Sequence, residues 1–349
     1  FAAFGTMPLG SVMFALLAAV SAWLSGFEVL AGFERWPRWM WANEEVAGFL
    51  DWLHRWNLER PVDERVGFYG LDVYSLSESI RAVKRYAQRF GSVLASEILY
   101  RYSCFEPFER DEIAYAKSLL RFSEGCRDEF RDNLRDILRV RQEDTRLTDE
   151  ELFDARQNAR VVQNAESYYR ALLAGGVESW NVRDRHMLET LEMLLEHHGA
   201  GSRAVVWAHN THIGDYRATS MLEEGYVNLG GLARDKLGQE NVSLVGFGTF
   251  GGTVRAGHAW GAPDEVMRLP DAREGSIEEE CHRLAGEWSH GRFYLVFDDE
   301  SRRNALGRRF GQRAVGAVYS PAAEISGANY VPTELAKRYD AYVFLDRTT

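Results

Sequence analysis

The sequence predicts an α/β protein with a three-layer α/β/α core, a mainly parallel sheet and a large helical insertion. Two patterns lead to this prediction: residues 201–349 hold short β-rich runs between helical stretches, whereas residues 75–199 are helical in pattern almost throughout. Strands that alternate with helices need crossover connections, which favour a parallel sheet covered on both faces. We therefore expect residues 1–72 and 200–349 to form the core and residues 73–199 to form the insertion.

The composition is that of a folded globular chain. Its 349 residues are 46% hydrophobic and 27% charged, which excludes extended disorder and a polytopic membrane protein. The 41 Lys and Arg residues against 52 Asp and Glu residues give a net charge of −11. Binding to phosphates needs a clustered positive surface, so we expect no nucleic-acid partner, and we expect no membrane partner either.

Two features bear on the location of the protein. The apolar run over residues 9–24 is shorter than the roughly 20 residues that span a bilayer, so a buried helix is favoured over a signal peptide or membrane-related segment. The three cysteines, Cys104, Cys126 and Cys281, are widely spaced. This spacing suggests neither a disulfide framework nor a structural zinc site, and it favours a reducing, cytoplasmic location.

The elements follow from local patterns along the chain. Residues 37–57 have apolar side chains at three- and four-residue spacing, which predicts a helix with one buried face. Arg65–Leu71 is short, apolar and bounded by polar residues, which predicts a buried strand. After Gly201 the predicted strands are residues 203–208, 242–248, 292–297, 314–319 and 341–346, with helices at Val227–Leu237 and Ser276–Glu287.

Polar groups follow the predicted strand at residues 203–208. His209, Asn210 and His212 come directly after it, at the carboxyl end, where open α/β sheets bind ligands. Two imidazoles three residues apart can supply proton transfer and oxyanion stabilisation at neutral pH. The alternative is that both histidines only bond backbone carbonyls within the loop.

Two further patterns are incomplete, and a third is absent. His209, His212 and Asp215 could together bind a metal ion, but the chain lacks the helical His-Glu-x-x-His signature. Residues 246–251 match Gly-x-Gly-x-x-Gly, but loop or strand residues follow instead of the helix that a dinucleotide site requires. No Gly-x-Ser-x-Gly elbow occurs. We expect no metal and no cofactor.

Asp72 comes directly after the predicted strand Arg65–Leu71, just as His209 comes directly after the predicted strand at residues 203–208. Because both residues lie at the carboxyl end of a strand, they are candidates for one cleft.

From Phe33 to Asp346 the sequence resembles the erythromycin esterase family, in particular its many uncharacterised bacterial members. The segments that carry the resemblance include FERWPRWMWANEEV, VGFYGLDVYSL, RYSCFEPF, WNVRDRHM, VVWAHNTHIGD, NLGGLAR and VGFGTFGGTV, in that order.

The resemblance implies a cleft that hydrolyses an ester or lactone of a small molecule through a histidine-activated water, without metal. His209 and His212 match the family's His-x-x-His loop and are the expected catalytic residues. Asp72 matches its Gly-Phe-Asp-like element, and Arg183-Asp184 matches its Arg-Asp element. The remaining residues expected to bind substrate or to support the site are Tyr69, Asn210 and Trp41.

One departure from the family bears on activity. The family's general base comes from an amino-terminal Gly-Glu-x-x-His-Gly motif, which does not occur here, and the first histidine is His54. We expect that the chain lacks the first strand and the base, as a fragment or a degraded copy, and is inactive as given. Two other functions stay open: a non-catalytic protein that binds a small molecule, and a metal-dependent hydrolase.

Overall fold

The computed structural model describes residues 25–33, 35–90, 92–108, 111–141, 143, 145–288, 291–304 and 308–349. The apolar run over residues 9–24 lies outside these residues. None of the described helices combines the length and apolar character that a membrane crossing requires. The chain divides into two compact units, Phe1–Val205 and Val206–Thr349, and the predicted pairing of residues 1–72 with 200–349 in one core stays a prediction.

The described part of the first unit is helical. Its α-helices are α1 (Gly26–Ala31), α2 (Arg38–Trp41), α3 (Glu44–Leu58), α4 (Leu76–Ala87), α5 (Ser92–Tyr102), α6 (Glu112–Ser118), α7 (Arg127–Arg139), α8 (Asp149–Ala174) and α9 (Glu178–His198). The helical pattern predicted over residues 75–199 is confirmed, and the helix predicted over residues 37–57 is present as α2 and α3.

Helix α8 organises this unit. It begins with a capping box, in which the Thr148 side chain accepts from the Glu151 amide and the Glu151 carboxylate accepts from the Thr148 amide at 2.8 Å. Its buried side includes Ala155, Ala159 and Ala165, and α4, α7 and α9 all pack against it. Small side chains allow these neighbours to approach closely, so α8 forms the centre of the helical core.

A disulfide links Cys104 to Cys126, with the two Cα atoms 5.9 Å apart. The expectation of a chain without disulfides is therefore wrong for this pair. The sequence spacing of 22 residues did not reveal it, because the approach of the two cysteines depends on how α5 and α7 pack. Cys281 is a free, buried thiol.

The strand predicted at Arg65–Leu71 is absent, although Phe68 and Leu71 are buried as expected. The Asn57 side chain donates to the Val66 carbonyl at 3.0 Å and accepts from the Val66 amide at 2.9 Å. An asparagine amide thus satisfies the backbone groups that a neighbouring strand would otherwise bond. The segment belongs to no sheet of the described residues.

The buried strand predicted at residues 203–208 is likewise absent, and most of the segment is exposed, including Val205 and Trp207. Hydrogen bonds to one residue of β1 (Val245–Gly248) provide a physical reason. The Asn210 side chain donates to the Phe247 carbonyl at 2.6 Å and accepts from the Phe247 amide at 3.1 Å. These are the backbone groups that a neighbouring strand would use, so residues 203–208 form no ladder there.

The second unit mixes short strands and helices. Its strands are β1 (Val245–Gly248), β2 (Gly251–Gly257), β3 (Asp264–Leu269), β4 (Arg292–Val296), β5 (Phe310–Arg313), β6 (Tyr330–Thr333), β7 (Ala341–Leu345) and β8 (Arg347–Thr348). Its helices are α10 (Asn210–Ile213), α11 (Leu229–Leu237), α12 (Ile277–Trp288), α13 (Asp299–Asn304), α14 (Pro321–Ile325) and α15 (Leu335–Arg338).

The strands of the described residues form small sheets, two of them mixed. The orders are β1-β7-β4, β3-β2-β8 and β5-β6, in which β1 pairs with β7 and β2 with β8 in parallel and the other pairs are antiparallel. The α/β class is confirmed and the parallel pairing is confirmed in part, whereas the three-layer arrangement stays a prediction. The strand predicted at residues 314–319 is wrong, since β5 ends at Arg313.

The β1-β7-β4 sheet packs one face on an apolar core. Tyr342 and Phe344 of β7 are fully buried there together with Ile277 and Cys281 of α12. Glycine is required at position 248, because a Cβ atom would collide with the Tyr342 hydroxyl. Strand β2, not a helix, begins at Gly251, which confirms that residues 246–251 do not form a dinucleotide fingerprint.

A buried polar network joins α8 to α9. The Asn164 amide donates to His186 Nδ1 at 2.9 Å, and the Thr190 hydroxyl donates to the His186 carbonyl at 2.9 Å. The His186 ring is almost fully buried, and burial lowers its pKa to about 4. The imidazole is therefore neutral in the folded chain at neutral pH.

We expect the His186 network to make the fold sensitive to acid. Because the folded pKa lies below the unfolded value, the unfolded chain binds a proton first as the pH falls from 6.5 towards 4. In denaturant titrations, lowering the pH from 7 to 4.5 should cost the unaltered chain about 2–3 kcal/mol more than the His186→Asn variant. A His258→Asn variant, which removes an exposed imidazole, should behave like the unaltered chain; equal losses in all three would contradict the assignment.

We expect reduction of the disulfide to lower the free energy of unfolding by about 3 kcal/mol, because the bond constrains a loop of this length in the unfolded chain. Denaturant titrations with and without dithiothreitol measure the effect. The Cys104→Ser/Cys126→Ser double variant is the control, and reductant should leave its midpoint unchanged. An unaltered chain that is insensitive to reductant would contradict the role of the bond.

Candidate functional site

The residues expected at the site occur in both units. Those in the first unit are Trp41, Tyr69, Asp72, Arg183 and Asp184, and those in the second unit are His209, Asn210 and His212.

In the first unit, Asp72 and Arg183 form a bidentate ion pair. Arg183 Nε donates to Asp72 Oδ1 at 2.9 Å and Nη2 donates to Oδ2 at 2.7 Å, across 111 positions of sequence. The Val73 amide donates to the same carboxylate at 2.7 Å, and the guanidinium carbon lies 4.6 Å from the centre of the Tyr74 ring. Both carboxylate oxygens of Asp72 are therefore engaged.

The surroundings of this ion pair are largely shielded from solvent. Asp72 is 3% exposed, and the neighbouring Asp184 on α9 is fully buried. Burial alone would lower the pKa of Arg183, but the Asp72 carboxylate outweighs it and raises the pKa. The guanidinium is thus held as a cation, and removal of either partner would leave an uncompensated buried charge.

The other two residues of the first unit lie in different surroundings. Trp41 is buried in the apolar cluster that α3 forms with α1 and the Phe68 segment. The Tyr69 hydroxyl lies 2.8 Å from His198 Nε2 near the end of α9, and burial raises the pKa of Tyr69. Their expected roles as substrate-binding or supporting residues stay predictions.

In the second unit, His209 is the N-cap of α10. Its Nδ1 accepts from the Thr211 amide at 3.3 Å and lies 2.8 Å from the Thr211 hydroxyl. A backbone N–H can only donate, so Nδ1 carries a lone pair and the ring hydrogen of the neutral imidazole resides on Nε2. In this state Nε2 of His209 is a hydrogen-bond donor.

Neighbouring residues fix the His209 loop. The Asn210 side chain bonds both backbone groups of Phe247 on β1. The fully buried Asn228 donates to the Thr211 carbonyl at 2.7 Å and caps α11. His212, one helical turn from His209, is 4% exposed, so its ring is buried within the second unit.

The carboxylate considered for metal binding in this loop already has partners. Arg217 Nη2 donates to Asp215 Oδ2 at 2.7 Å and Arg234 Nη1 donates to the same oxygen at 3.1 Å. Burial raises the pKa of Asp215, but the Arg217 hydrogen bond and charge lower it by more. Over the described ranges, no group of three His, Cys, Asp or Glu side chains is placed to hold a metal ion.

Two contacts in the second unit were not predicted from the sequence. The first joins Thr211 to His209. A hydroxyl two positions after a histidine at a helix start was a sequence signal that could have predicted it. The second joins His282 Nδ1 to Asp346 Oδ1 at 2.5 Å, with the His282 ring stacked at 3.8 Å on Phe250. The sequence gives no sign of this pair, because 64 positions separate the two residues.

Comparisons with known proteins add the family and the fold. A solved structure described as a succinoglycan biosynthesis protein has a TM-score of 0.76 at 16% identity, covering 100% of this chain and 80% of that chain. A protein of Bacillus cereus has a TM-score of 0.71 at 15% identity, covering 93% and 77%. A mutant of the erythromycin esterase EreC in its open conformation has a TM-score of 0.60 at 13% identity, covering 98% and 82%.

At these identities the solved structures show a shared fold alone. The family model described as erythromycin esterase matches residues 18–348, which is most of the chain. The resemblance found in the sequence is thereby confirmed, and the chain belongs to the erythromycin esterase family.

Proposed function

We propose that the chain hydrolyses an ester or lactone bond in a small molecule and that His209 is its main catalytic residue. Family membership supports the hydrolase class. The single observation that carries the assignment to His209 is its hydrogen bond from the Thr211 amide to Nδ1, which leaves Nε2–H as a donor.

A fixed donor suits the chemistry of ester hydrolysis. A water molecule adds to the carbonyl carbon and loses one proton to solvent, which places negative charge on the carbonyl oxygen. The C–O bond then breaks, and the leaving alkoxide takes up a proton from solvent to become the alcohol. A neutral imidazole whose N–H is oriented before the reaction stabilises this oxyanion without reorganisation. His209 therefore acts in this proposal through a hydrogen bond, and its ring gains and loses no proton.

Other residues support this role. His212, which is buried, stabilises the loop, and Asn210 holds the loop to Phe247 of β1. Within the first unit, the ion pair of Asp72 with Arg183 fixes the backbone at Val73. The proposed reaction uses no metal ion, and the pairing of Asp215 with two arginines supports this part of the proposal.

We expect His209→Ala to lower kcat for p-nitrophenyl butyrate by about 10²–10³-fold, the usual effect of removing one oxyanion donor. His258→Ala, which removes an exposed imidazole, is the matched control and should keep full activity. Initial rates with and without a chelator measure both variants. Circular dichroism verifies that loss of the α10 cap, worth about 1 kcal/mol, leaves the chain folded.

Three outcomes would contradict this proposal. Equal turnover by the unaltered chain and His209→Ala would show that His209 is not a catalytic residue. Activity that is lost only when a chelator is added would favour a metal-dependent hydrolase. If a panel of p-nitrophenyl esters and macrocyclic lactones is not hydrolysed but one of them raises the melting temperature, the chain is a small-molecule-binding protein instead.

A further inference from the structure

We infer that Thr211 is a positioning residue that fixes the ring tautomer of His209 and thereby creates the donor on Nε2. This inference rests on the proposed function, because it explains how His209 comes to present an N–H group. The geometry that carries it is the pair of contacts from Thr211, backbone and side chain, to one ring nitrogen.

The two contacts differ in what they can do. A hydroxyl can donate or accept, so the 2.8 Å contact from Thr211 Oγ1 to His209 Nδ1 fits either tautomer when taken alone. The Thr211 amide donates to the same nitrogen at 3.3 Å and is compatible only with a lone pair there. Because Nδ1 is then unprotonated, the hydroxyl must donate as well, and Nδ1 accepts two hydrogen bonds.

The position of Thr211 is itself fixed. Its carbonyl accepts from the buried Asn228 side chain at 2.7 Å, which ties α10 to the start of α11. Threonine is branched at Cβ and has restricted side-chain rotation, so the hydroxyl is held towards the ring. His209 in turn has the extended backbone of an N-cap residue, with φ −61° and ψ 149°.

Loss of the hydroxyl would leave only the longer of the two bonds. The imidazole hydrogen could then populate Nδ1 once the ring turns away from the amide, and a molecule in that state offers no N–H on Nε2. In the proposed reaction the hydrogen remains on Nε2 throughout, while one water is added across the ester to give an acid and an alcohol. Thr211 therefore acts only through the ring that it orients.

The test combines ¹⁵N NMR of the histidine rings with kinetics on p-nitrophenyl butyrate. A His209→Gln spectrum identifies the signals of His209. In the unaltered chain and in Thr211→Ser, which keeps the hydroxyl, the ¹⁵N chemical shift of Nδ1 should be that of an unprotonated nitrogen. The chemical shift of Nε2 should be that of a protonated nitrogen. Thr211→Val, which keeps the shape, should raise the fraction protonated on Nδ1 and lower kcat about tenfold with little change in KM.

The outcomes separate this inference from the proposed function. A proton on Nδ1 in the unaltered chain would overturn the inference at any level of activity, and so would a Thr211→Val variant with unchanged tautomer and kcat. A tautomer that depends on the Thr211 hydroxyl in a chain that hydrolyses no ester would support the role of Thr211 and overturn the proposed function. If Thr211→Val does not fold, Thr211→Ala, which also lacks the hydroxyl, takes its place in both measurements.

Discussion

Both units depend on one constraint: a charged or polar side chain taken out of water must meet a partner of matching geometry. The ion pair of Arg313 and Glu324 shows its reach, since the two side chains are 3% and 2% exposed. The same guanidinium donates to the carbonyls of Thr249 and Phe250 at 2.9 Å and of Pro270 at 2.7 Å. One side chain thus holds β5 to the connections that follow β1 and β3, and in the first unit Arg183 holds Asp72 in a similar way.

The same constraint explains which strands the sequence could predict. The strands at β1, β4 and β7 are apolar, so their composition predicted them correctly. Strand β5 was missed because its buried residues are the polar Gln312 and Arg313, which pair with Arg338 and Glu324, 26 and 11 positions further along the chain. A pattern of apolar residues cannot reveal such a strand, and the apolar residues 314–319 attracted the prediction instead.

Strand formation also depends on what lies alongside, and the residues that failed as strands show this. The apolar residues 203–208 have the composition of a strand, but the side chain of Asn210 occupies the backbone groups of Phe247. Val66 is bonded by Asn57 in the same manner. In both places a single asparagine replaces a strand neighbour, and nothing in the local sequence distinguishes such an asparagine from one that faces solvent.

For the candidate site, the sequence could predict identity but not chemical role. The position of His209 directly after an apolar run made it a candidate. The family resemblance made Asp72 and Arg183 candidates too, and the structure brings these two side chains into contact. Whether His209 donates or accepts depends on contacts of 2.8 and 3.3 Å to Thr211, which no residue pattern encodes.

Whether His209 donates or accepts a hydrogen bond bears on whether the chain is active. The Gly-Glu-x-x-His-Gly motif does not occur in these 349 residues, and loss of a general base typically costs about 10²–10⁴ in rate. One oriented oxyanion donor contributes about 10²–10³, a comparable factor, and it acts without any change of protonation. Under the proposed role of His209, inactivity therefore does not follow from the missing motif alone, because an Nε2–H donor to the developing oxyanion would contribute to catalysis without a base.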